Sequence, residues 1–392
     1  MKPSSLWLLA TFTAGCVPQE SLSRLELTGL CEAPDINVVS LDLNSDGLLD
    51  FVSSDTAQLC LSLQQPDGSF VGLAPSPLVG GGLGTLLVGD IESDGDLDLF
   101  GHDLNGDITL LKNQGDTTFL ASTILSPPNL ERFALDGSAD LDGDSDLDLF
   151  GAEGAVIQGN NEVLNSRLFV MIQQADGTFA PQEVNLASSV LKVTPADIDQ
   201  DNDQDLLVFT GDFTLLVLKN QGDATFVQAE SSPLFETDIF FFSAGATFAD
   251  LDADGDLDLI LPDTDVFYQL VIFINDGQGN FTEATRQKVR KSAIFSDVSV
   301  KDLDSDGLPE ILLGENDTSD FAEDNFFTNI EVRVLRNLGG LQWDDEVHFN
   351  APEDSVNDFR VRLFVEDLNG DAVSDLLTIT ESLTAGLELG LR

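Results

Sequence analysis

The segment from Asp250 to Asp258, DLDADGDLD, carries acidic side chains at positions 1, 3, 5 and 9. In a tight loop, these side chains and the backbone carbonyl of position 7 can converge on one cation. A ligand set of oxygen atoms with clustered negative charge suits calcium, whereas magnesium prefers fewer carboxylates and more water. Gly255 stands at position 6, where the chain reverses and needs a positive φ. The segment therefore predicts a calcium-binding loop.

The same nine-residue pattern occurs six more times, with starts about fifty residues apart, which is a period typical of propeller blades or arrays. The further copies are DLNSDGLLD (42–50), DIESDGDLD (90–98), DLDGDSDLD (140–148), DIDQDNDQD (197–205), DLDSDGLPE (302–310) and DLNGDAVSD (367–375). An EF-hand begins similarly, but it needs a Glu at position 12 and flanking helices, and β-type residues follow position 9 here. Acidic turns without a metal would not explain seven copies with one internal spacing.

Each unit around such a loop predicts four β-strands. An apolar strand enters the loop, as TFAD does at 247–250, and a β-rich run, LDLILP at 257–262, leaves it. A third strand, QLVIFIN at 269–275, and a turn then lead to Phe281, where a fourth strand should start. The equivalent aromatics are Phe70, Phe119, Phe179, Phe226 and Trp343, and we expect all of them to pack between blades. The sequence therefore predicts an all-β, seven-bladed β-propeller with four-stranded antiparallel blades.

The seventh unit stops after its third strand, in the C-terminal GLELGLR. We expect SRLELTGL at 23–30 to supply the missing strand, so that the N-terminal strand joins the C-terminal blade and closes the ring without sheet edges. One propeller, with no second domain, should then occupy 23–392. Cys31 and Cys60 would fasten the start of the chain to the first blade if they form a disulfide, and two buried thiols are the alternative.

The N-terminus predicts export. Residues 1–15 combine a basic residue, an apolar run and small residues, as in a signal peptide, and 16–22 form a polar tether. The tetrapeptide TAGC ending at Cys16 resembles a bacterial lipobox with Thr13 in place of the usual Leu. That resemblance implies a lipid anchor at Cys16 and, because Val17 rather than Asp follows, an outer-membrane or cell-surface location. An ordinary cleaved signal with an incidental Cys is the alternative.

The chain is strongly acidic, with 70 acidic against 17 basic residues and a net charge of -53. Nucleic acid and anionic membrane surfaces are therefore poor partners. Acidic groups crowded into the loops repel one another without counterions, so the metal-free protein should be less stable than the loaded one. A hydrophobic content of 42% with 27 Phe residues excludes a disordered acidic chain. We expect a monomer.

The repeats resemble the FG-GAP or VCBS family of integrin-like repeats over about 22–392, through the motif D-x-[DN]-x-DG-x-x-D between the first two strands of a blade. The resemblance implies up to seven structural calcium ions. The implied ligands are Asp42, Asn44, Asp46 and Asp50; Asp90, Glu92, Asp94 and Asp98; Asp140, Asp142, Asp144 and Asp148; Asp197, Asp199, Asp201 and Asp205; Asp250, Asp252, Asp254 and Asp258; Asp302, Asp304, Asp306 and Glu310; and Asp367, Asn369, Asp371 and Asp375.

The loops depart from the family motif in places. Ser145, Asn202 and Ala372 replace the turn glycine, and Glu92 and Glu310 are one methylene longer than the usual ligands. Asn tolerates left-handed geometry, whereas Ala372 carries a steric cost, so the weakest site is expected in the last loop.

Two functions from different classes are consistent with this scaffold. The first is a binding module that engages a protein or a glycan through its blade loops, of which 151–166, 234–242 and 314–328 are candidates. The second is a polysaccharide lyase or hydrolase that uses paired carboxylates. Most carboxylate pairs are committed to the loops and His102 and His348 are the only histidines, so catalysis is not expected. Assembly or anchoring without a ligand is a third possibility.

Overall fold

The structure is a computed structural model. It describes residues 6–9, 23–24, 30–31, 38–54, 58–74, 76–77, 83, 85–102, 107–125, 133–153, 157–158, 162–163, 166–212, 214–229, 246–263, 269–288, 293–317, 329–350, 361–368, 373–380 and 385–388. All the regular secondary structure in these ranges is β-strand. Within the same ranges, no helix is long and apolar enough to cross a membrane.

After two short strands, β1 (Leu6–Leu9) and β2 (Ser23–Arg24), six units each form a four-stranded antiparallel blade. Blade 1 has β3 (Val38–Leu41), β4 (Asp50–Ser54), β5 (Gln58–Gln64) and β6 (Phe70–Gly72), with β7 (Ser76–Pro77) also paired to β5. Blade 2 has β8 (Leu87–Gly89), β9 (Asp98–His102), β10 (Ile108–Asn113) and β11 (Phe119–Leu125). Blade 3 has β12 (Phe133–Ala139), β13 (Asp148–Glu153), β16 (Arg167–Gln173) and β17 (Phe179–Val184), with an inserted hairpin, β14 (Ile157–Gln158) and β15 (Glu162–Val163).

The same strand order continues in the second half of the chain. Blade 4 has β18 (Val190–Ala196), β19 (Asp205–Thr210), β20 (Leu215–Asn220) and β21 (Phe226–Gln228). Blade 5 has β22 (Thr247–Ala249), β23 (Asp258–Asp263), β24 (Gln269–Asn275) and β25 (Phe281–Lys288). Blade 6 has β26 (Ala293–Lys301), β27 (Glu310–Asp317), β28 (Asn329–Asn337) and β29 (Trp343–Asn350).

The fourth strand of every blade begins at the predicted aromatic residue. Each of these aromatics packs in an apolar cluster shared by two adjacent sheets, as predicted. Between blades 4 and 5, for example, Phe281 packs against a cluster that contains the fully buried Val217 and Leu259. Burying one such aliphatic side chain contributes about 1.5–3 kcal/mol. The core of this protein therefore lies between the blades.

The seventh unit does not form a blade of the predicted kind. Its strands β30 (Val361–Glu366), β31 (Asp375–Thr380) and β32 (Ala385–Glu388) are antiparallel, but the strand beside β32 is β1, which runs parallel to it. Strand β2, the described part of the predicted closing strand, pairs with β1 instead. The prediction of seven four-stranded antiparallel blades, closed by the N-terminal strand at 23–30, is therefore wrong. Within the described residues there are six such blades and no ring closure by strand joining.

Side-chain packing joins the C-terminal sheet to blade 1 without a strand that both sheets share. Leu368, Leu377 and Ile379 of the C-terminal sheet form one buried cluster with Val38 and Phe51 of blade 1. The rings of Phe51 and Phe364 meet edge to face with centroids 5.3 Å apart. The C-terminal sheet also packs on blade 6 through a second cluster that includes Leu363 and Leu376. Each sheet therefore contacts two neighbours through apolar side chains.

The disulfide between Cys31 and Cys60 is present, which confirms one of the two predicted alternatives. The two Cα atoms are 5.4 Å apart, and both residues are buried. The backbone N–H of Cys31 also donates to Ser53 Oγ at 2.9 Å. The bond therefore fastens the segment before blade 1 to strand β5, as predicted.

Candidate metal-binding loops

Each acidic loop joins the first and second strands of its unit, where the motif predicted it. We number them loop 1 (42–50), loop 2 (90–98), loop 3 (140–148), loop 4 (197–205), loop 5 (250–258), loop 6 (302–310) and loop 7 (367–375). Loops 1 to 6 are described in full. In loop 7, Asn369, Asp371 and Ala372 lie outside the described residues, whereas Asp367 and Asp375 lie within them.

Two residues of each of loops 1 to 6 adopt left-handed backbone conformations. Position 6 does so as predicted, with φ of 97° at Gly255, and the replacements Ser145 and Asn202 adopt 74° and 72°. Position 4 is also left-handed, for example 62° at Ala253, which the sequence analysis missed. Such a conformation costs an L-residue about 1 kcal/mol, so small or polar residues at position 4 were the available signal.

The position-1 carboxylate is turned into its own loop. In loop 5, Asp250 Oδ1 accepts from the N–H of Asp254 and Oδ2 accepts from the N–H of Gly255, both at 3.1 Å. The bond from the N–H of position 6 recurs in all six described loops, at Asp42, Asp90, Asp140, Asp197, Asp250 and Asp302. The backbone therefore holds the first predicted ligand on the inside of the turn.

The position-9 carboxylate is buried and fixes the loop to the sheet. Asp258 is fully buried, and its Oδ2 accepts from the N–H of Leu251 at 2.9 Å. Its Oδ1 accepts from the N–H of Asn275, on the third strand, at 3.0 Å. Loss of solvation raises the pKa of Asp258 to about 6, and these backbone hydrogen bonds oppose the shift. Position 9 is thus an anchor of the fold as well as a candidate ligand.

A side-chain amide next to this anchor links neighbouring sheets. Asn275 Nδ2 donates to the carbonyl of Ile198, at position 2 of the preceding loop, at 2.7 Å. The equivalent bonds run from Gln64 to Leu368, Asn113 to Leu43, Gln173 to Ile91, Asn220 to Leu141 and Asn337 to Leu251. The sequence analysis missed these residues. Their signal was an Asn or Gln at the end of the third strand in all six blades.

Carboxylates of four loops could hold a metal ion. One ligand oxygen from each residue lies within 4.8 Å of the others in the groups Asp140, Asp142 and Asp148; Asp197, Asp199 and Asp205; Asp250, Asp252 and Asp254; and Asp302, Asp304 and Asp306. Loop 1 has Asn44 at position 3, and the loop 2 carboxylates of Glu92 and Asp94 contact Lys112 instead. The structure thus brings predicted ligands together in loops 3, 4, 5 and 6.

Buried carboxylate oxygens without a hydrogen-bond partner indicate whether these groups of acidic residues fit a cation. Asp197 Oδ1, Asp199 Oδ1, Asp252 Oδ1 and Asp302 Oδ1 are buried without a hydrogen-bond partner. A buried polar atom left unpaired is costly and calls for a partner. Because the predicted ligands of these loops are carboxylate and carbonyl oxygens, a hard cation such as calcium is the partner that this chemistry favours. The residues present therefore fit the ion that the sequence analysis predicted.

The histidines of the enzymatic alternative lie in different blades. His102 ends β9 in blade 2, and its Nδ1 accepts from the backbone N–H of Leu135 in blade 3 at 3.1 Å. His348 belongs to β29 of blade 6, and its side chain lies outside the described part. His102 thus serves as a contact between blades.

These observations define a β-propeller whose blades carry repeated acidic loops. The FG-GAP-like repeat family matches residues 42–101, 140–208 and 197–261, so these parts of the chain are similar to that family. The matches include loops 1 to 5, which confirms the predicted resemblance. Among curated proteins, none matches the chain.

Solved structures share the fold at low sequence identity. The BBS1N protein, crystallised in complex with ARL6DN, is 12% identical, covers 91% of this chain and 92% of its own, and has a TM-score of 0.55. A protein from Lactobacillus plantarum is 13% identical, with 90% and 98% covered and a TM-score of 0.51. Saccharomyces cerevisiae Sqt1 is 11% identical, with 91% and 99% covered and a TM-score of 0.51. At these identities the likeness shows the fold alone.

Replacing the linking amide tests its contribution to stability. Asn275→Leu should lower the free energy of unfolding by about 1–3 kcal/mol, because it leaves the buried carbonyl of Ile198 unpaired. Denaturant unfolding measures the change. Asn280→Ala is the matched control on the same blade, since Asn280 is exposed, and it should cost less than about 0.5 kcal/mol. Equal losses in the two variants would contradict the assigned role.

The position-9 carboxylates predict the pH dependence of the metal-free protein. Burial raises the pKa of Asp50, Asp148, Asp205 and Asp258 from 3.8 to about 6. A pKa raised in the folded state adds stability that is complete below the unfolded value and is lost as the pH rises through the folded value. In chelator, the melting temperature should therefore fall between about pH 4 and pH 7. A melting temperature that rises over this range would refute the expectation.

Proposed function

We propose that this chain is a calcium-stabilised β-propeller that binds a protein or glycan partner at the cell envelope. The observation that carries the calcium part is the convergence of Asp250, Asp252 and Asp254 within 4.8 Å, with Asp252 Oδ1 buried and unpaired. Side chains at positions 1, 3 and 5, with the position-7 carbonyl and the position-9 carboxylate, would hold the ion. Bound calcium would offset two of the negative charges of the loop and would add no redox chemistry.

Calcium in this proposal is structural. The first and second strands of each blade meet at the loop, so an ion bound there fixes their connection. Crowded carboxylates repel one another in the metal-free protein, and an ion that binds only the folded chain stabilises it by mass action. Up to seven ions are proposed, at most one in each loop, with affinities in the range of extracellular modules.

The binding part of the proposal rests on the scaffold. FG-GAP-like repeats and a propeller fold favour an interaction module, and the similar BBS1N propeller was crystallised in complex with ARL6DN. Loops on such scaffolds usually carry recognition. Of the predicted loops, 151–166 contains the β14–β15 hairpin, whereas 234–242 and most of 314–328 lie outside the described residues.

Export and a lipid anchor at Cys16 complete the proposal. They are supported by the signal-like composition of residues 1–15 and by the TAGC tetrapeptide. Cys16 lies outside the described residues. A monomeric protein displayed on the envelope would present its loops to partners in solution or on a neighbouring surface.

Calcium titration of loop 5 tests the metal site. Calcium should raise the melting temperature of the wild-type chain, and chelator should reverse the rise. Asp252→Asn should lower the number of bound ions by one without lowering the melting temperature in chelator, because Asp252 Oδ1 has no protein partner to lose. Asp276→Asn, an exposed hairpin-turn residue in the same blade, is the control and should bind as the wild type does. An unchanged melting temperature with calcium would contradict the metal assignment.

Binding and catalysis can be separated in one assay. We expect the calcium-loaded chain to be retained on some members of a panel of immobilised polysaccharides and extracellular proteins, and to lose retention in chelator. The same polysaccharides, incubated with the chain, should show no increase in reducing ends. New reducing ends formed only with the intact chain would favour the polysaccharide-active alternative over the binding module. Absence of retention across the panel would contradict the binding part of the proposal.

A further inference from the structure

The residue just before the linking amide differs between blades. It is apolar in blades 1, 3 and 5, as Leu63, Ile172 and Ile274, and basic in blades 2, 4 and 6, as Lys112, Lys219 and Arg336. This position lies on the third strand, beside the acidic loop. The chain thus places a fixed positive charge next to some loops and none next to others.

In blade 2 the lysine reaches the predicted ligands themselves. Lys112 Nζ contacts Glu92 Oε1, at position 3 of loop 2, and lies 2.9 Å from Asp94 Oδ2, at position 5. All three side chains are at most 38% exposed, so the contacts are partly shielded from water. An ammonium is a compact point charge with three donors, which suits two converging carboxylates.

Loop 2 shows fewer signs of an open cation site than other loops do. Buried, unpaired oxygens occur at position 1 or 3 of loops 4, 5 and 6, whereas in loop 2 the unpaired oxygen is Asp98 Oδ2 at position 9, and none is found at Asp90, Glu92 or Asp94. Among the described residues, the converging acidic groups likewise occur in loops 3, 4, 5 and 6. The carboxylates of Glu92 and Asp94 therefore already have a cation as partner.

We propose that the ammonium of Lys112 is the resident cation of loop 2, so that this loop keeps its shape without calcium and binds it more weakly than loop 5. The inference rests on the proposed calcium function of the other loops. A divalent ion could enter loop 2 only by displacing Lys112 from both Glu92 and Asp94, and the displaced ammonium would then lie close to a like charge.

Blade 4 shows an intermediate arrangement. Lys219 Nζ lies 3.2 Å from Asp199 Oδ2 and also contacts the carbonyl of Gln278 in blade 5. One oxygen of Asp199 stays unpaired, and its carboxylate still converges with those of Asp197 and Asp205. Lys219 therefore spans two blades while leaving the ligand group of loop 4 in place, and the proposal is confined to loop 2.

Hydrogen exchange of individual loops, followed by mass spectrometry in calcium and in chelator, tests the proposal. In the wild-type chain, calcium should slow exchange in peptides covering 250–258 by about tenfold or more and should change those covering 90–98 by less than about twofold. In Lys112→Met, which keeps a similar volume but removes the charge, 90–98 should become calcium-protected and equilibrium dialysis should count one more bound ion. Lys112→Arg keeps the charge and should behave as the wild type.

The two readouts distinguish failure of this inference from failure of the proposed function. Calcium protection of 90–98 in the wild type equal to that of 250–258, or no gain in Lys112→Met while other loops respond, would overturn the role of Lys112. If no loop responds to calcium, the proposed function fails. Hydrogen exchange in chelator then tests the role of Lys112 by itself. Residues 90–98 should exchange faster in Lys112→Met than in the wild type, and equal exchange rates would refute the role of Lys112.

Discussion

The propeller depends on the hydrogen bonds that the buried carboxylate at position 9 of each loop accepts. A charged group without solvent is tolerated only where donors replace the lost water. Asp258 has two such donors, one from its own loop and one from the third strand. The strand residue that supplies the second donor, Asn275, uses its side chain to hold the preceding blade. The shape of a loop and the order of the blades are therefore maintained by one continuous network, with apolar clusters filling the space between the sheets.

Much of this architecture could be predicted because it depends on local patterns. The apolar, β-rich runs TFAD and QLVIFIN and the aromatic at Phe281 predicted the right strands, since strand composition and turn chemistry act within one unit. The contacts between units could not be found in this way. Asn275 and Ile198 are 77 residues apart, so no local pattern pairs them. The C-terminal sheet was predicted wrongly because the strand beside β32 is β1, from the segment interpreted as an export signal, whereas β2 pairs with β1.

The sequence motifs predicted where the candidate sites lie, but they did not predict how the sites differ from one another. Seven similar motifs suggest seven equal sites, yet the environment of each loop is set by a residue outside the motif. Leu63 and Ile172 bring no charge to their loops, whereas Lys112 contacts two carboxylates of its loop. Acidic crowding is therefore relieved in different ways around the propeller. The whole chain carries an excess of negative charge, but whether a loop needs a bound cation depends on the residues of its own blade.

The parallel pairing of Leu6–Leu9 with β32 has a consequence for maturation. Strand β32 is hydrogen-bonded on one side to β31 and on the other to β1. Strand β1 lies within the segment that the sequence marks as a cleavable export signal. Cleavage would remove β1 from the sheet and convert β32 from an inner strand into an edge strand with unpaired backbone groups. An open edge of this kind is a template to which an extended segment of another polypeptide can add. Secretion would then not only relocate the protein but also change which of its surfaces can pair with a second chain.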